Sequence, residues 1–546
     1  MKTIQIHEKD NVLVALTSIQ KGEVINHLGK EITIKQEIPP KHKFTLDPLS
    51  EGDLITMYGV VVGKAKVNLA SGTLISTNNV GHETSGYGNK NKSYDWKSPN
   101  TEKFRNSTFM GYQRPDGQVG TANYWLVIPM VFCENRNVEV IRQAFEEELG
   151  FGRTNPYKNL VREMKSLYQK GDLKAISKLQ GIFEANDIGQ KTFPNIDGIK
   201  FLTHQGGCGG TRQDAESLCA LLAGYIHNPN VAGATVLSLG CQNAQYQILE
   251  EKYKALNPHV SKPIILLEQQ KEGTEAQLLS QAIKKTFLAL IEANKIERKS
   301  SPLGKLTIGL ECGGSDGFSG ISANPAVGHV SDLIVALGGK TILSEFPELC
   351  GVEQELINRC VEDQTAEKFA YLMQSYSNAA LSVGSGFDMN PSPGNIKDGL
   401  ITDAIKSAGA AKKGGTSPIT DVLDYTEYAS RPGLNLLCTP GNDVESTTAM
   451  AGSGANIILF TTGLGTPTGN PIAPVIKIAS NSALAQKMPD IIDLDTGGII
   501  AGEKTIEESG EEILEYIIKV ASGEIKTKAD VLRQNDFIPW KRGVSL

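Results

Sequence analysis

The sequence predicts a protein of the α/β class with an all-β module in front, and three observations carry that prediction. The first 80 or so residues alternate short apolar runs with turn chemistry; from about residue 107 apolar strands alternate with helical periods; and 56 glycines beside only 6% aromatic residues suit a chain rich in tight turns. At 546 residues it is long enough for about three domains of roughly 100–200 residues each.

The elements follow in order. Runs at 3–7, 12–16, 32–36, 55–58 and 60–67 are punctuated by Lys21-Gly22, Pro39-Pro40 and Glu51-Gly52-Asp53, which read as turns between strands. Residues 81–103 are rich in Gly, Asn, Lys and Ser, cannot supply a core, and read as a linker. Beyond it, strands at 124–132, 199–203, 234–239 and 263–267 alternate with helices at 138–149 and 211–226, the pattern of a parallel sheet covered by helices. The second half repeats the pattern with strands at 307–310, 341–344, 434–438 and 456–460, and a helical stretch at 273–298 is expected to hinge the halves. The expected domains are 1–82, a linker at 83–106, 107–300 and 301–546.

Composition excludes several partners. With 54 Lys and Arg against 61 Asp and Glu, and no dense basic run, the chain lacks the charge that binds nucleic acid. Its first ten residues are charged and polar where a secretory signal needs an apolar core, and the best apolar run, 125–132, is broken by Pro129 and far short of the ~18 residues that span a bilayer. Eight cysteines without a CxxC pair suit reduced thiols. A soluble, cytoplasmic protein with a small-molecule substrate is expected, with neither nucleic acid nor membrane as partner. No G-x-G-x-x-G follows a strand, since the loop 463–469 sets its third Gly one residue too far, and Ile334 stands where a phosphate loop ending at Lys340-Thr341 needs Gly. Neither NAD nor ATP is expected.

In parallel sheets ligands sit at the carboxyl ends of strands. Four such ends carry a cysteine: Cys133, Cys208 in the loop opened by His204, Cys241, and Cys312 between Glu311 and Ser315-Asp316. Thiolate, imidazole and carboxylate groups there suit a borderline metal such as iron. A free cysteine at a strand end also packs well as a small apolar group, and His204 reads equally as a core histidine. The Gly, Asn and Gln residues that follow each cysteine favour a site, because they let a ligand approach backbone N–H groups. Asn395 lies in the irregular loop 390–395, and Asn442 and Asp443 open a helix at 444–451, where they serve either as caps or as part of an anion site. The loop 463–469 is a further candidate for an anion.

Segments 112–120, 239–241, 309–325, 345–348, 390–395 and 440–443, together with His204 and Cys208, resemble the altronate and galactarate dehydratase family, over residues 1 to 546. The resemblance implies a SAF-type β-clip domain at the N-terminus, a middle domain that supports a homodimer, and a C-terminal Rossmann-like domain. It implies a hydro-lyase that removes water from a sugar acid with iron(II), or manganese(II), as activator. The expected reaction converts D-altronate to 2-keto-3-deoxy-D-gluconate in hexuronate breakdown; galactarate dehydration and C–S lysis of sulfolactate are the alternatives on this scaffold. The family's β-clip domain commonly ends in His-x-His-Asn, where this chain has Ser76, Thr77, Asn78 and Asn79. That leaves His82, His42 or no β-clip residue as a ligand.

Such a dehydration takes the weakly acidic C2 proton, expels the C3 hydroxyl and passes through an enediolate whose charge a divalent metal stabilises. The enol formed then tautomerises to the keto acid. On this reading Glu311, Asp316, His204 and Asp443 serve catalysis, and Cys133, Cys208, Cys241 and Cys312 hold the metal, either one ion or an iron–sulfur cluster. Ser315, Asn324, Asn395 and Asn442 hold the substrate. All these loops are expected to share one mouth. A noncatalytic carbohydrate-binding protein is the reading from another class.

Overall fold

The computed structural model describes residues 2–180, 189–258 and 262–546. Its N-terminal part is all β, as expected: a three-stranded antiparallel sheet (Thr3–Ile4, Val12–Ala15, Lys43–Thr45), a hairpin (Val24–His27, Lys30–Thr33) and a second three-stranded sheet (Leu54–Met57, Val60–Ala65, Val80–Gly81). Leu13, Ile19, Ile32 and Phe44 fill a small core between them. Lys43–Thr45 has no apolar alternation and escapes sequence reading. Backbone pairing with Val12–Ala15 makes it a strand, and its buried Lys43 amine donates to the Gly399 carbonyl at 2.7 Å in the C-terminal part.

Residues 82–107 form no helix or strand, yet they are docked. Gly88 N donates to Gln354 Oε1 at 2.9 Å and Trp96 Nε1 to Thr416 Oγ1 at 3.2 Å, so this segment runs along the C-terminal domain.

The middle domain is built on a four-stranded parallel sheet in the order Gly198–Phe201, Tyr124–Pro129, Val231–Ser238, Ile264–Glu268. The helix expected at 273–298 spans Glu275–Ala293, opened by a capping box of Thr274 and Gln277. It packs Leu278, Ala282 and Leu290 into the same core as the buried Trp125, so it is a layer of the middle domain and not a hinge. The covalent passage to the C-terminal domain is instead braced by Lys299–Pro302, antiparallel to Thr108–Gln113.

The C-terminal domain carries seven parallel strands in the order Ile419–Leu423, Gly433–Leu437, Lys340–Leu343, Thr307–Cys312, Ile457–Thr462, Val475–Ala479, Leu494–Asp495. The chain starts in the centre at Thr307–Cys312, adds Lys340–Leu343, lays the edge strand Ile419–Leu423, fills the gap with Gly433–Leu437, then returns to build the other side. The strand order therefore reverses beside Thr307–Cys312, and a crevice at its carboxyl end is the favoured ligand position.

The two parallel sheets are joined near their strand starts: Asn230 Nδ2 donates to the carbonyls of Asn456 (2.9 Å) and Ile472 (2.7 Å). Helices Arg212–His227 and Asp443–Gly452 pack together where a Cβ on Gly224 would stand 2.0 Å from the Gly452 carbonyl oxygen, a contact only glycine permits. One hydrophobic core then draws on both sheets, with Ile128 and Val236 from one and Leu437 and Phe460 from the other. No helix among the described residues is long and apolar enough to cross a membrane.

Candidate active site

Three neighbouring strands of the C-terminal sheet deliver acidic groups to its carboxyl edge. Thr307–Cys312 ends in Glu311 and Cys312; Lys340–Leu343 runs on into Ser344 and Glu345; and Gly433–Leu437 leads to the helix that Asp443 opens. Glu345 has a left-handed backbone, φ 65°, a costly conformation for a residue with a Cβ. A short turn, Phe346–Leu349, then brings Glu348 to the same place. Helix Asp403–Ala410 supplies Lys406, and the turn Ala411–Gly414 supplies Lys413.

These groups interlock. Lys413 Nζ lies 2.8 Å from Cys312 Sγ and 3.3 Å from Glu345 Oε2, with its side chain 1% exposed. Lys406 Nζ lies 2.6 Å from Glu348 Oε1 and 2.8 Å from Asn390 Oδ1. Cys312 Sγ donates to Glu348 Oε2 at 3.4 Å, and Ser446 Oγ donates to Glu311 Oε2. Burial and the nearby Glu345 push the Glu311 carboxyl well above the usual range, and burial with Glu348 pushes Glu345 to about 8. Burial also acts to raise Glu348, but Lys406 and Lys413 more than offset it and hold that carboxylate low. Asp443, half-buried, is pushed up to about 6 by burial and by Glu348.

Four carboxyl groups thus face two ammonium groups, and Glu311 Oε1, Glu345 Oε1 and Ser315 Oγ are buried without a hydrogen-bond partner. Ligand atoms of Glu311, Glu345 and Asp443 lie within 4.8 Å of one another, as do those of Cys312, Glu345 and Glu348. The excess of acidic groups over ammonium groups, the orphaned carboxyl oxygens and the all-oxygen set of Glu311, Glu345 and Asp443 fit a divalent cation, which would take the place of the protons that the raised carboxyl groups hold. Gly313 keeps the edge open, because a Cβ there would stand 2.0 Å from Asp443 Oδ2.

Of the residues singled out in the sequence, Glu311, Cys312 and Asp443 come together here, with Ser315 in the loop beyond. Asp316 is fully engaged: its carboxylate accepts from Ser319 N (2.9 Å), Ser480 Oγ (2.8 Å) and Asn481 Nδ2 (3.1 Å) and pairs with Lys41 of the N-terminal domain at 3.0 Å. It holds a loop and a domain in place. Asn324 is buried and satisfied, accepting from Thr461 Oγ1 at 2.6 Å and donating to the Gly409 carbonyl at 3.0 Å. Asn395 completes a capping box with Ser392 and donates to the Ser315 carbonyl at 2.7 Å, which fixes the loop. Asn442 caps its own helix by accepting from Val444 N and Glu445 N, so those donors are spent within the chain. Gly463 packs against the Asp316 carboxylate, which makes the 463–469 loop a poor anion cradle at its start.

His204, Cys133, Cys208 and Cys241 lie instead at the carboxyl edge of the middle sheet. Phe132 N donates to the Gly206 carbonyl and Ala244 N to the Gly207 carbonyl, each at 3.1 Å, tying the three cysteine-bearing loops together. All three cysteines are exposed. His204 is buried; its Nε2 meets the Pro129 carbonyl at 2.8 Å, its Nδ1 accepts from Gly206 N at 3.1 Å, and burial lowers its pKa. Both ring nitrogens are spent on loop structure. No hydrogen bond or ion pair among the described residues joins this set to the Glu311 cluster, because the chain builds two parallel sheets, each with its own carboxyl edge. The C-terminal tail lies between them: Phe537 packs on His204 (ring centroids 6.4 Å apart), Trp540 on Tyr376 (5.3 Å), and Leu546 N donates to the Gly209 carbonyl at 2.7 Å.

Sequence reasoning about the site missed Glu345, Glu348, Lys406 and Lys413. For the glutamates a signal was present, the pair flanking Phe-Pro directly after a strand; for the lysines of the stretch 400–415, nothing set them apart from a solvated helical face.

This chain is 34% identical over 547 residues to the altronate dehydratase of Bacillus subtilis (strain 168), a match covering 100% of this chain and 99% of the relative. The chain belongs to the altronate/galactarate dehydratase family. Its members' domain models match in order: the altronate/galactarate dehydratase SAF domain at residues 1–83, the D-galactarate dehydratase/altronate hydrolase second domain at 111–294, and the D-galactarate/altronate dehydratase C-terminal domain at 303–545. The altronate dehydratase of Escherichia coli (strain K12) is 31% identical over the full length of both chains. The galactarate dehydratase (L-threo-forming) of the same organism is 36% identical over 307 residues, 56% of this chain and 58% of the relative. The N-terminal all-β module is therefore a SAF domain, and the Glu311 cluster lies in the family's C-terminal domain.

Proposed function

We propose that this protein is a metal-dependent hydro-lyase converting D-altronate to 2-keto-3-deoxy-D-gluconate and water, working as a cytoplasmic homodimer in hexuronate catabolism. Full-length kinship to two altronate dehydratases supports the substrate, and the buried cluster of carboxyl and ammonium groups at the C-terminal edge is the observation that carries the chemistry.

In the net reaction the C2–H and C3–O bonds break, a C2=C3 enol forms and tautomerises to the 2-keto acid, and water leaves. Lys406 and Lys413 supply two fixed positive charges for the substrate carboxylate and for the enediolate that develops from it. Glu348, kept ionised beside both, accepts the C2 proton. Asp443, the half-exposed member, connects the cluster to solvent. Ser344 and Ser446, 2.7 Å apart, orient Glu311. Glu311, Glu345 and Asp443 are the residues that would hold iron(II), or manganese(II) in its place, and a cation there supplies electrophilic stabilisation of the same developing charge. The three exposed thiols Cys133, Cys208 and Cys241, on neighbouring loops, are the group suited to an iron–sulfur cluster.

The test is anaerobic assay of iron-reconstituted protein with D-altronate, galactarate and sulfolactate. Keto-acid formation fastest from D-altronate supports the proposal. Preference for galactarate selects the second reading, which the galactarate dehydratase relative favours, and no turnover of any sugar acid would overturn both.

A further inference from the structure

A second donor cluster stands apart from the residues used above. His82 follows the last strand of the SAF domain, Cys350 follows the turn that carries Glu348, and Asp403 opens the helix Asp403–Ala410. One ligand atom from each lies within 4.8 Å of the other two. Asp403 is 1% exposed; its Oδ1 accepts from Ser407 Oγ at 3.3 Å, while its buried Oδ2 has, among the described residues, no partner beyond the neighbouring Cys350 thiol of the same cluster. A buried carboxylate oxygen in that state costs free energy unless something completes it. Nearby charges do not do so. Asp388, Glu83 and Glu353 add negative charge around His82 and Cys350, and Lys406 is committed to Glu348 and Asn390.

An imidazole, a thiol and a carboxylate in an acidic surrounding form a mixed N, S and O set, the kind that binds borderline divalent metals with three protein ligands and one open position. The other SAF-domain positions weighed for a ligand are occupied locally. Asn79 Oδ1 accepts from Ser76 N at 2.7 Å, closing that turn, and His42 Nδ1 lies against the Pro40 carbonyl at 3.0 Å.

We propose that His82, Cys350 and Asp403 form a second cation site, for zinc or iron(II), that clasps the SAF domain to the C-terminal domain beside the active site. On binding, the thiol proton passes to solvent and the cation takes its place on sulfur, with no change of oxidation state. The site shares no ligand with the Glu311, Glu345 and Asp443 set and does not depend on the dehydratase reading.

Zinc is the probe. Full-length protein is stripped with chelator, titrated with zinc under reducing conditions, and digested with a protease at limiting dose. The wild type is expected to hold one more equivalent of zinc than Cys350→Ser or His82→Gln, while Cys312→Ser keeps that equivalent. Zinc is also expected to slow cleavage within residues 83–106 in the wild type and not in those two variants. His82 is exposed, so His82→Gln folds without it, and circular dichroism checks both variants. Equal zinc content in the wild type, Cys350→Ser and His82→Gln, or equal protection of the linker, would overturn the proposal.

Discussion

The carboxyl edges of the two parallel sheets carry chemistry-bearing residues in opposite states. In the C-terminal sheet, Glu311, Cys312, Glu345, Glu348 and Lys413 are buried together, and Lys413, 2.8 Å from Cys312 Sγ and 3.3 Å from Glu345, counters part of the cost of burying its acidic neighbours. In the middle sheet, Cys133, Cys208 and Cys241 are exposed, with no thiol hydrogen bond among the described residues, while the neighbouring His204 is consumed by backbone. Position at a strand end is common to both, so position alone does not define a catalytic centre. On the proposed function, the buried edge with its opposed charges handles protons and developing charge, and the exposed thiols take up the soft metal.

Breaking the buried edge has the largest expected effect. Lys413→Met leaves buried carboxyl groups without their cation; turnover of D-altronate should fall by roughly 10²–10³-fold, and the urea midpoint should reveal a stability loss of about 3–5 kcal/mol. A stable, active Lys413→Met protein would show that the ammonium group is a spectator. Gly313→Ala should come next. Its new methyl displaces Asp443, and a loss of turnover on the order of 10²-fold is expected with near-normal thermal stability. The exposed edge answers to a different variant: Cys208→Ser should lose acid-labile sulfide and visible absorption after anaerobic reconstitution, and Lys413→Met should keep both. Sulfide retained in Cys208→Ser would remove the thiols from cofactor binding.

The smallest effect contrasts two buried lysines. Carboxylates surround Lys413, but Lys43 donates to the Gly399 carbonyl with Asp316 as a nearby carboxylate, and burial outweighs that charge and pushes the amine down to about 7 from 10.5. Its folded pKa lies below its unfolded value. The resulting penalty is absent above pH 10.5, grows as pH falls, and is complete below about 7. Lys43→Met should therefore stabilise the protein by about 1–3 kcal/mol at pH 6.5, with the gain shrinking toward pH 10 in urea titrations. A gain independent of pH would place the cause in packing instead.

The fold was legible where the local pattern and the tertiary outcome agree. Alternating runs announced an all-β module, which the family resemblance made a SAF domain, and buried apolar strands such as 307–310 and 456–460 announced the parallel sheets. Lys43–Thr45 was invisible because its strand character comes from pairing with Val12–Ala15, and a lysine at its start looks solvated until its amine is buried on the Gly399 carbonyl. The helix Glu275–Ala293 was seen, but its role was not, since an amphipathic period does not say which sheet it covers. Within the site, Glu311, Cys312 and Asp443 could be read from their place after strands. Lys406 and Lys413 could not, because lysines in a helical stretch look like a solvated face until the fold turns them inward. Asn324, Asn395 and Asn442 have the right chemistry for a hydroxylated ligand, yet each is spent on backbone or cap. Sequence also gave no means of telling that the loops at His204 and Glu311 belong to two sheets.

The central claim is that proton chemistry belongs to the buried C-terminal edge and not to the thiol edge. Glu348→Gln, reconstituted anaerobically with iron and assayed on D-altronate beside its iron and sulfide content, tests it most directly. The account predicts sulfide equal to wild type and a loss of turnover of roughly 10²–10⁴-fold. Turnover near wild type in that variant would contradict it.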